Sequence, residues 1–453
     1  MGILEHAMEY KYNTLKVSDF NFKSLNLCDG INHFPPPYLY EQQYIQEVNN
    51  GRFIQEYSYS SGDPTLVSLI SCYEKMLGSD DLNMPDNFAN NICITAGATA
   101  SIIFFIEYFS NKYSKSKVLL LGLNYYLFFV NLERYGLEHK LLCSQTKGRI
   151  APTVEEIIDA INQDDYKLVI LTMPMNPSGE IYNENELNLL ISVLKEKGIF
   201  LLYDKCQDEF GIDVFPFNNI NRIIIKHNFE EYAIIVNSLS KTRSIPGARI
   251  GYVLANKEII DYVTFMNEMT YYNPPYIYVS SFTIDLLYRI LHFKMNEGFD
   301  LNKIISNMRK IILLNMGSQY YTDYFSPIFK DKDLLKKITG LYTEINDHYN
   351  VIHSNYRYVL DNKNKYLYDI TRLQGGFNFC IKFVNTRSRD QINFCKELAE
   401  TTGMGVFPEY FFNNFKVQDT LEPFWVRLTA SSPHESFVEM IDNVTNYIEK
   451  INS

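Results

Sequence analysis

Short runs of apolar and β-branched residues recur between residues 91 and 255, and they constrain the fold more than any other feature of the chain. They lie at residues 91–96, 117–121, 168–172, 199–203, 232–236 and 250–255. Runs of this length and composition are typical of buried strands. Helical patterns alternate with them, as at residues 64–77 and 184–197. This order predicts an α/β fold with a mostly parallel central sheet between layers of helices.

Glycines and polar residues follow these runs at the points where the strands would end. They are residues 97–99, Tyr125, Asn176, Asp204 and Lys241. Open α/β sheets bind their ligands outside the carboxyl ends of the strands. A ligand site is therefore expected at this edge of the sheet.

Lys241 is the most informative of these residues, and it is expected on a loop beyond the strand at 232–236. A lysine forms a Schiff base where its amine is held neutral and near a carbonyl. Ser238 and Ser240 could each donate a hydroxyl to a dianionic phosphate, and Arg249 could bind it with a bidentate guanidinium. The alternative is a surface lysine in a serine-rich loop, because single motifs have many false positives.

The same stretch resembles a known signature. It reads Ser238-Leu-Ser-Lys241 and then Gly247-Ala-Arg249-Ile-Gly-Tyr252. It is similar to the Ser-x-Ser-Lys and Gly-x-Arg-x-Gly-Tyr motifs of fold type I pyridoxal-phosphate (PLP) enzymes, in particular the class I/II aminotransferases. The resemblance implies a large domain with a mostly parallel sheet plus a smaller α+β domain. It also implies that Lys241 is the Schiff-base lysine, with the two serines and the arginine on the cofactor phosphate.

Two further segments extend the resemblance. Met173-Pro-Met-Asn176-Pro-Ser-Gly179 resembles the family's Asn-Pro-Thr-Gly loop, which implies that the Asn176 amide donates to the cofactor's phenolic oxygen. Asp204 would pair with the pyridinium nitrogen and keep it protonated, so that the ring acts as an electron sink. The family usually has Tyr three residues later, whereas this chain has Gln207, an amide that can donate but cannot ionise.

Other segments resemble the rest of the cofactor pocket. Gly97, Ala98 and Thr99 resemble the Gly-Ala-Thr turn that binds phosphate at a helix N-terminus. Tyr125 would stack on the pyridine ring. Tyr57 corresponds by spacing to a Tyr that crosses a dimer interface to the neighbouring cofactor phosphate. The alternatives are a structural turn and ordinary aromatic packing.

Substrate binding is expected from both ends of the chain and from Asn176, which is predicted to bind the substrate as well as the cofactor. Gly30 and Ile31 begin an extended proline-rich loop at residues 30–37, which resembles the family's loop over the substrate. Arg427, in the segment 424–428, matches the Arg that binds the substrate's α-carboxylate. A guanidinium fork suits a carboxylate bidentately, as Lys would not. A proline-rich linker and a solvated Arg are the alternatives.

The chain has 453 residues, more than a single hydrophobic core usually supports, so two domains are expected. We predict an N-terminal arm with part of the small domain at 1–55 and a large PLP-binding domain at 56–293. A segment that is extra for the family follows at 294–338, and a small C-terminal α+β domain at 339–453. The extra segment would be a substrate lid, a dimer contact or a surface decoration.

Composition narrows the class of protein. The formal net charge is −11, from 42 basic and 53 acidic residues, so nucleic acid is not an expected partner. Seven widely spaced cysteines without a C-x-x-C pair indicate reduced thiols of a cytoplasmic protein, and no metal site is expected. The most apolar run, residues 118–132, is shorter than the ~20 residues of a membrane span.

Together these inferences predict a homodimeric PLP-dependent aminotransferase, which moves an amino group from an L-amino acid to a 2-oxo acid. The alternative is a PLP-dependent lyase, decarboxylase, cyclase or oxidase on the same fold, which Gln207 and the extra segment keep open. A third hypothesis is a regulator's effector domain that retains PLP, against which the acidic charge argues. The side chain of the amino acid substrate does not follow from the sequence.

Overall fold

The computed structural model describes residues 5, 8–10, 30–50, 57–78, 91–208, 220–277, 279–296, 298–320, 325–363, 367–383, 391–414 and 423–452. Much of the predicted N-terminal arm, with Cys28, lies outside these residues. The chain divides into two compact units. The first comprises Met1–Phe34, Phe109–Asn218 and His348–Ser453, and the second comprises Pro35–Tyr108 and Asn219–Asp347. The domain boundaries expected at residues 55, 293 and 338 stay a prediction.

Helices and strands alternate through most of the described chain. The strands are β1 (Ile92–Ala96), β2 (Lys117–Leu121), β3 (Glu138–Leu142), β4 (Tyr166–Thr172), β5 (Phe200–Asp204), β6 (Ala233–Ser238), β7 (Ile250–Leu254), β8 (Leu367–Ile370), β9 (Asn378–Phe383), β10 (Phe407–Pro408) and β11 (Trp425–Thr429). The helices are α1 (Tyr38–Asn50), α2 (Pro64–Gly78), α3 (Ala98–Lys112), α4 (Tyr126–Arg134), α5 (Val154–Gln163), α6 (Glu184–Lys197), α7 (Ile220–Lys226), α8 (Leu239–Thr242), α9 (Lys257–Tyr271), α10 (Val279–Asn296), α11 (Leu301–Tyr320), α12 (Ser326–Phe329), α13 (Leu334–Asp361), α14 (Gln391–Thr402) and α15 (His434–Asn452).

The first unit contains a parallel array of four strands. β2 pairs with β3 on one side and with β4 on the other, and β4 pairs with β5, all in parallel. The inner strand β4 is buried over Leu168–Thr172, as its uninterrupted apolar sequence predicts for a strand that is covered on both faces. The register places Thr172 beside Asp204 at the carboxyl end of β4 and β5. This end of the array carries several of the predicted site residues.

The first unit also contains a smaller antiparallel sheet, in which β11 lies between β10 and β9, and β9 pairs with β8. Helices α14 and α15 pack against each other beside it. Buried hydrophobic residues around this sheet form one cluster, which includes Phe379, Phe394, Phe407 and Phe437. The predicted α/β class, with a mostly parallel sheet and a smaller α+β part, is confirmed.

In the described part of the second unit, β7 pairs antiparallel with both β1 and β6. Helices α2 and α9 pack on β1, and α10 packs against α1, α2 and α11. Most described residues of the segment at 294–338, which is predicted to be extra, belong to the end of α10, to α11, to α12 and to the start of α13. Its role as a lid, a dimer contact or a decoration stays a prediction.

Local sequence signals account for several element boundaries. Helix α6 begins after Asn183, whose side chain caps Glu186 in a capping box, and it ends at Gly198 in the left-handed conformation. Helix α5, which we do not predict from the sequence, has the same signal at its N-terminus, with Thr153 capping Glu156. One expectation is wrong: Lys241 lies on the short helix α8 and not on a loop. The helix begins directly after β6, so the strand leads into it without a connecting segment.

The described residues include no helix with both the length and the apolar character needed to cross a membrane. Within the same residues, no group of three or more His, Cys, Asp or Glu side chains could hold a metal ion. Six cysteines fall in this part of the chain, outside any disulfide, and Cys72, Cys93, Cys380 and Cys395 among them are buried.

Candidate active site

Arg427 is held at the centre of the small antiparallel sheet. It pairs in register with Phe407 of β10 and Cys380 of β9, and it is 6% exposed. Its guanidinium carbon lies 4.9 Å from the ring centroid of Phe412 and 5.6 Å from that of Phe407. Two aromatic faces therefore hold the guanidinium through cation–π contacts, which are strongest where water is excluded.

The predicted loop residue Asn176 contacts the same guanidinium. Nη1 of Arg427 donates to Oδ1 of Asn176 over 3.1 Å. The loop is fixed close to the small sheet at Gly179, since a Cβ there would lie 2.4 Å from the carbonyl oxygen of Asn378. The carbonyl of Gly179 accepts hydrogen bonds from the backbone N–H groups of Gln374 and Gly375. These contacts hold the loop against the sheet that carries Arg427.

Gly30 and Ile31 lie against the same part of the first unit. Gly30 has φ of +62°, and a Cβ at this position would lie 2.9 Å from Nη1 of Arg427. The carbonyl of Ile31 accepts a hydrogen bond from Oγ of Ser431, and His33 N–H donates to the Ser431 carbonyl. The structure therefore brings Gly30, Asn176 and Arg427 together, and their binding of a substrate group stays a prediction.

Asp204 and Tyr125 lie at the carboxyl end of the parallel array. Asp204 is the last residue of β5, and its Oδ1 accepts a hydrogen bond from the Cys206 N–H over 3.0 Å. Its register partner Thr172 lies next to Asn124, with 3.4 Å between Oγ1 of Thr172 and Oδ1 of Asn124. Tyr125 follows as the N-cap residue of α4, with its ring 4.8 Å from that of Tyr126. Both predicted cofactor residues are therefore half-buried at one edge.

Gln207, at the position where Tyr is usual in the family, is 6% exposed. A Cβ at Gly376 would lie 2.4 Å from its Oε1 atom. Gly376 has φ of +73°, so both the backbone conformation and the space favour glycine there. The Gln207 amide is therefore packed tightly against the Gly375–Gly376 turn of the small domain.

Residues that are predicted to bind the cofactor phosphate lie close together in the second unit. Gly97 has φ of +77°, and the helix α3 begins at the next residue, Ala98, followed by Thr99. A Cβ at Gly97 would lie 2.7 Å from Nη2 of Arg249. Arg249 in turn donates from Nη2 to the Ala96 carbonyl over 3.1 Å and from Nη1 to the Pro246 carbonyl over 3.0 Å. The arginine and the helix N-terminus therefore meet at one point.

Ser238 also lies near the Gly97 turn, because of the pairing between β6 and β7. It is the last residue of β6, 4% exposed, and it pairs with Gly251 of β7. A Cβ at Gly251 would lie 2.6 Å from the backbone nitrogen of Ala98, so only glycine lets β7 approach the Gly97 turn so closely. The N–H of Ser238 donates to Oδ1 of Asn237 over 2.7 Å.

Lys241 follows Ser238 after a single turn of helix, and both Ser240 and Lys241 are half-buried on α8. A four-residue helix has too few hydrogen bonds to be stable by itself. Its position therefore depends on β6 before it and on Arg243 after it.

Tyr57 differs from the other predicted residues because its side chain is 81% exposed. Its ring contacts Tyr272 at a centroid distance of 5.0 Å. Tyr59, Phe265 and Met269 are exposed as well, at 67%, 55% and 68%. Within its own chain, Tyr57 is therefore a surface residue of the second unit.

Sequence reasoning missed several residues that support the site. Phe412 and Phe407 hold Arg427 through their rings, and the backbone carbonyl of Phe412 accepts a hydrogen bond from the Asn124 N–H. The Tyr271 hydroxyl accepts a hydrogen bond from the Ala96 N–H and donates to Asn267 over 2.6 Å. Burial raises the pKa of Tyr271 to about 12, so the hydroxyl stays protonated beside the Gly97 turn. These contacts join distant parts of the sequence and leave no local motif.

The donor groups of the second unit fit a phosphate. Gly97 leaves the space that a side chain would fill, and the first turn of α3 directs backbone N–H groups to the start of that helix. Arg249 adds a cation, and Ser238 and Ser240 are hydroxyl residues on adjoining elements. In the first unit, the Asp204 carboxylate is of the right type to hold a protonated ring nitrogen. These residues fit the groups of PLP.

Comparison with known proteins agrees with this chemistry. The model of the family "Aminotransferase class I and II" matches residues 22–327. The chain belongs to the aminotransferase class I and II family, whose members use pyridoxal phosphate. The solved structure of aspartate aminotransferase from Thermus thermophilus with maleate shares the fold, with a TM-score of 0.70 and 15% identity over 97% of this chain and 95% of that chain.

Curated relatives match over shorter stretches. 1-Aminocyclopropane-1-carboxylate synthase 3 from Solanum lycopersicum is 30% identical over 184 residues, which are 38% of this chain and 39% of that protein. A probable aspartate/prephenate aminotransferase from Aquifex aeolicus is 24% identical over 265 residues, 57% of this chain and 64% of that protein. The chain thus matches less than two thirds of the length of these relatives.

Proposed function

We propose that the protein is a PLP-dependent aminotransferase that moves an amino group from an L-amino acid to a 2-oxo acid. The observation that carries this proposal is the convergence of Gly97, Ser238 and Arg249, with Lys241 three residues after Ser238 on the short helix α8. A phosphorylated aldehyde needs an anion site for its phosphate and an amine for its carbonyl. Ser238 and the half-buried Lys241, three residues later, offer groups for both.

We assign the cofactor's binding groups as follows. Phosphate would be bound by the residues of the helix terminus, the serines and the arginine, namely Gly97, Ala98, Thr99, Ser238, Ser240 and Arg249. Lys241 would hold the aldehyde end, and Asp204 the ring nitrogen. Asn176 and Gln207 would donate to the phenolic oxygen, and Tyr125 would stack on the ring. Bound in this way, PLP supplies an electron sink that acidifies the Cα–H bond of the amino acid.

The first unit supplies the substrate-binding residues. Arg427 would bind the α-carboxylate with two parallel N–H donors, in the geometry that a guanidinium fork favours. The aromatic rings of Phe407 and Phe412 hold the fork in place before the substrate arrives, which lowers the entropy lost on binding. Gly30 and Ile31 would cover the carboxylate from the loop side and exclude water from it.

Lys241 would move the proton in the reaction. After the substrate's amino group has displaced it from the aldehyde, the freed Lys241 amine would accept the proton from Cα of the amino acid and return it to the cofactor side, acting as general base and then as general acid. Asp204 would keep a proton on the ring nitrogen through charge pairing. Gln207 would donate an N–H without ionising, so the pH dependence of the Lys241 amine would be set by other groups.

The protein would act as a homodimer, in which Tyr57 of one copy completes the phosphate site of the other. Tyr57 and Tyr272 form an exposed aromatic patch on the second unit, with their ring centroids 5.0 Å apart, and Tyr59, Phe265 and Met269 are exposed on the same unit. Exposed apolar patches of this kind mark protein contacts. A second copy of the chain would cover it, and Tyr57 would reach the phosphate bound by that copy. Both the dimer and this role of Tyr57 are proposals.

A cytoplasmic location is part of the proposal. The six described cysteines are free thiols, which supports this location because oxidising compartments favour disulfides.

The printed names of the relatives favour transamination. Besides the Aquifex protein, aspartate aminotransferases from Sulfurisphaera tokodaii and Thermus thermophilus resemble this chain in sequence and in fold, respectively. The lyase, decarboxylase, cyclase and oxidase alternatives are less well supported, although the name of the Solanum lycopersicum relative is that of a synthase.

The proposal is tested by the half-reaction. PLP-loaded protein is mixed anaerobically with single amino acids, aspartate among them, without any oxo acid, and its absorbance is followed. Transamination predicts loss of the lysine-bound cofactor band, a stable pyridoxamine form and one 2-oxo acid per site. Recovery of the starting band with another product would contradict it in favour of a lyase or cyclase, and a need for oxygen would indicate an oxidase.

A further inference from the structure

A buried ionic cluster in the second unit lies next to the helix that carries Lys241. It consists of Asp285 and Arg289 of α10, Arg243 after α8, and Tyr40 of α1. The four residues are exposed by 0%, 2%, 1% and 2%, respectively. Charged side chains are almost never buried this completely unless they are paired.

Asp285 is the centre of the cluster. Its Oδ2 atom accepts hydrogen bonds from Nε of Arg243 over 3.0 Å, from the Tyr40 hydroxyl over 2.8 Å, and from Nη2 of Arg289. Its Oδ1 atom accepts from Nη2 of Arg243 over 3.3 Å. Two donors of Arg243 therefore bind both carboxylate oxygens, which fixes the guanidinium in orientation as well as in distance.

The Asp285 carboxylate is ionised, as its pairing with two guanidiniums requires. Burial would raise the pKa of Asp285, but the guanidiniums of Arg243 and Arg289 outweigh that effect and lower it to about 2. The carboxylate is therefore ionised over the range in which proteins usually work, and the cluster stays ionic throughout it.

Arg243 connects the cluster to Lys241. It is the C-cap residue of α8, where its backbone N–H donates to the Leu239 carbonyl over 3.1 Å. Its Nη1 atom donates to the carbonyl of Thr242 over 3.2 Å. Because α8 has only four residues, its end is held by these bonds and by the pairing of Arg243 with Asp285. Lys241 lies two residues before this anchor.

We propose that Asp285 is a positioning residue, which fixes the helix of Lys241 through the guanidinium of Arg243 and so sets the reach of the lysine amine. This inference rests on the proposed function, since it concerns the lysine that would hold PLP. Tyr40 and Arg289 act by holding the carboxylate, one from α1 and the other from the helix of Asp285 itself.

The test measures how fast Lys241 reacts with PLP in the apo-protein, followed as growth of the lysine-bound absorbance band. Asp285→Asn keeps the shape of the side chain but removes the charge that both guanidiniums bind. We expect the reaction to slow about ten-fold or more, because small misplacements of a reacting group have effects of this size or larger. Arg243→Lys keeps a cation but loses the fork, and it should slow the reaction as well.

A matched variant separates positioning from a general loss of stability. Leu287→Ala removes a fully buried apolar side chain from the same helix and leaves all four residues of the ionic cluster in place. We expect it to lower the melting temperature while the rate of reaction with PLP stays at the wild-type value. Tyr40→Phe removes one hydrogen bond and is the variant to compare if Asp285→Asn does not fold. It should slow the reaction measurably.

The outcomes are distinct. If wild-type protein forms no lysine-bound cofactor, the proposed function fails. If wild-type protein forms it and Asp285→Asn, or Tyr40→Phe in its place, matches the wild-type rate, the positioning role is overturned. An equal slowing in Leu287→Ala at matched loss of stability would also overturn it, because that result shows a stability effect alone.

Discussion

The guanidinium of Arg427 donates a hydrogen bond to the side-chain oxygen of Asn176 over 3.1 Å. The sequence predicts that Arg427 binds the substrate carboxylate and that Asn176 binds both the cofactor and the substrate. Their contact brings the two side chains into one small region of the first unit. A carboxylate that binds Arg427 would therefore lie beside the amide of Asn176.

Replacing Arg427 should weaken substrate binding more than it changes stability. Arg427→Lys keeps the charge but loses the planar fork over Phe407 and Phe412. A hydrogen bond to a charged group is worth about 1.5–3 kcal/mol, so the KM for amino acids should rise about 10- to 100-fold. Steady-state kinetics measure this rise. An unchanged KM would mean that the carboxylate binds elsewhere.

A side chain at Gly30 should displace the guanidinium of Arg427. Gly30→Ala would force a Cβ to within 2.9 Å of Nη1 of Arg427, besides straining a residue with φ of +62°. We expect displacement of Arg427 and a raised KM. Gly298→Ala is the control, because φ is +85° there and nothing lies within 4 Å of the added Cβ. If both variants keep the wild-type KM, Gly30 has no role in substrate binding.

Gly97 offers a similar comparison for the cofactor. Gly97→Ala places a Cβ 2.7 Å from Nη2 of Arg249, whereas Gly136→Ala meets nothing within 4 Å at nearly the same φ. Both substitutions carry the left-handed strain of about 1–2 kcal/mol. Only the first should weaken PLP binding, as measured by equilibrium titration of the apo-protein. Equal affinities would argue that phosphate does not bind at this turn.

The sequence predicts those features that are encoded locally. The strand β2 and the helix α6 follow from continuous or periodic apolar residues, with caps at the helix ends. The residues at the strand ends, from Gly97 to Lys241, follow from motifs and from the rule that α/β sheets bind ligands there. Lys241 itself was expected on a loop, because its four-residue helix is too short to produce a period in the sequence.

Other features depend on contacts between distant segments and could not be predicted. Phe412 packs on Arg427 from a different element, and Asp285 binds Arg243 from 42 residues away. Neither residue belongs to a motif, and an aspartate in an apolar helix gives no indication of its partner. The helix α5 is different, because its capping residues Thr153 and Glu156 were readable in the sequence.

The buried carboxylate should make stability depend on acid. The folded pKa of Asp285 is about 2, below its ordinary value of 3.8. Its contribution is therefore present above pH ~4 and is lost as the pH falls toward 2, since protons then favour the unfolded chain. The depression corresponds to about 2–3 kcal/mol of unfolding free energy.

Urea unfolding at pH values between 2 and 5 measures this contribution. Wild-type protein should lose stability across that range more steeply than Asp285→Asn, which lacks the titrating group. Parallel curves for the two proteins would show that Asp285 titrates at its ordinary pKa in the folded state.

The role proposed for Tyr57 predicts complementation between subunits. Tyr57→Phe should weaken PLP binding, because the hydroxyl would no longer reach the phosphate of the neighbouring copy. Mixing Tyr57→Phe with Lys241→Ala should give hybrid dimers, each with one site that has both the lysine and the tyrosine. Recovery of tight PLP binding at that site supports the dimer, and sedimentation as a monomer at micromolar concentration would contradict it.

The central claim is that Lys241 holds the cofactor, and it is tested most directly by locating the covalent attachment. PLP-loaded protein is reduced with borohydride, digested, and mapped by mass spectrometry. We predict that the added pyridoxyl mass lies on the peptide containing Lys241 and is absent from Lys241→Ala. Modification of a different lysine, or spread over many lysines at equal yield, would contradict the account.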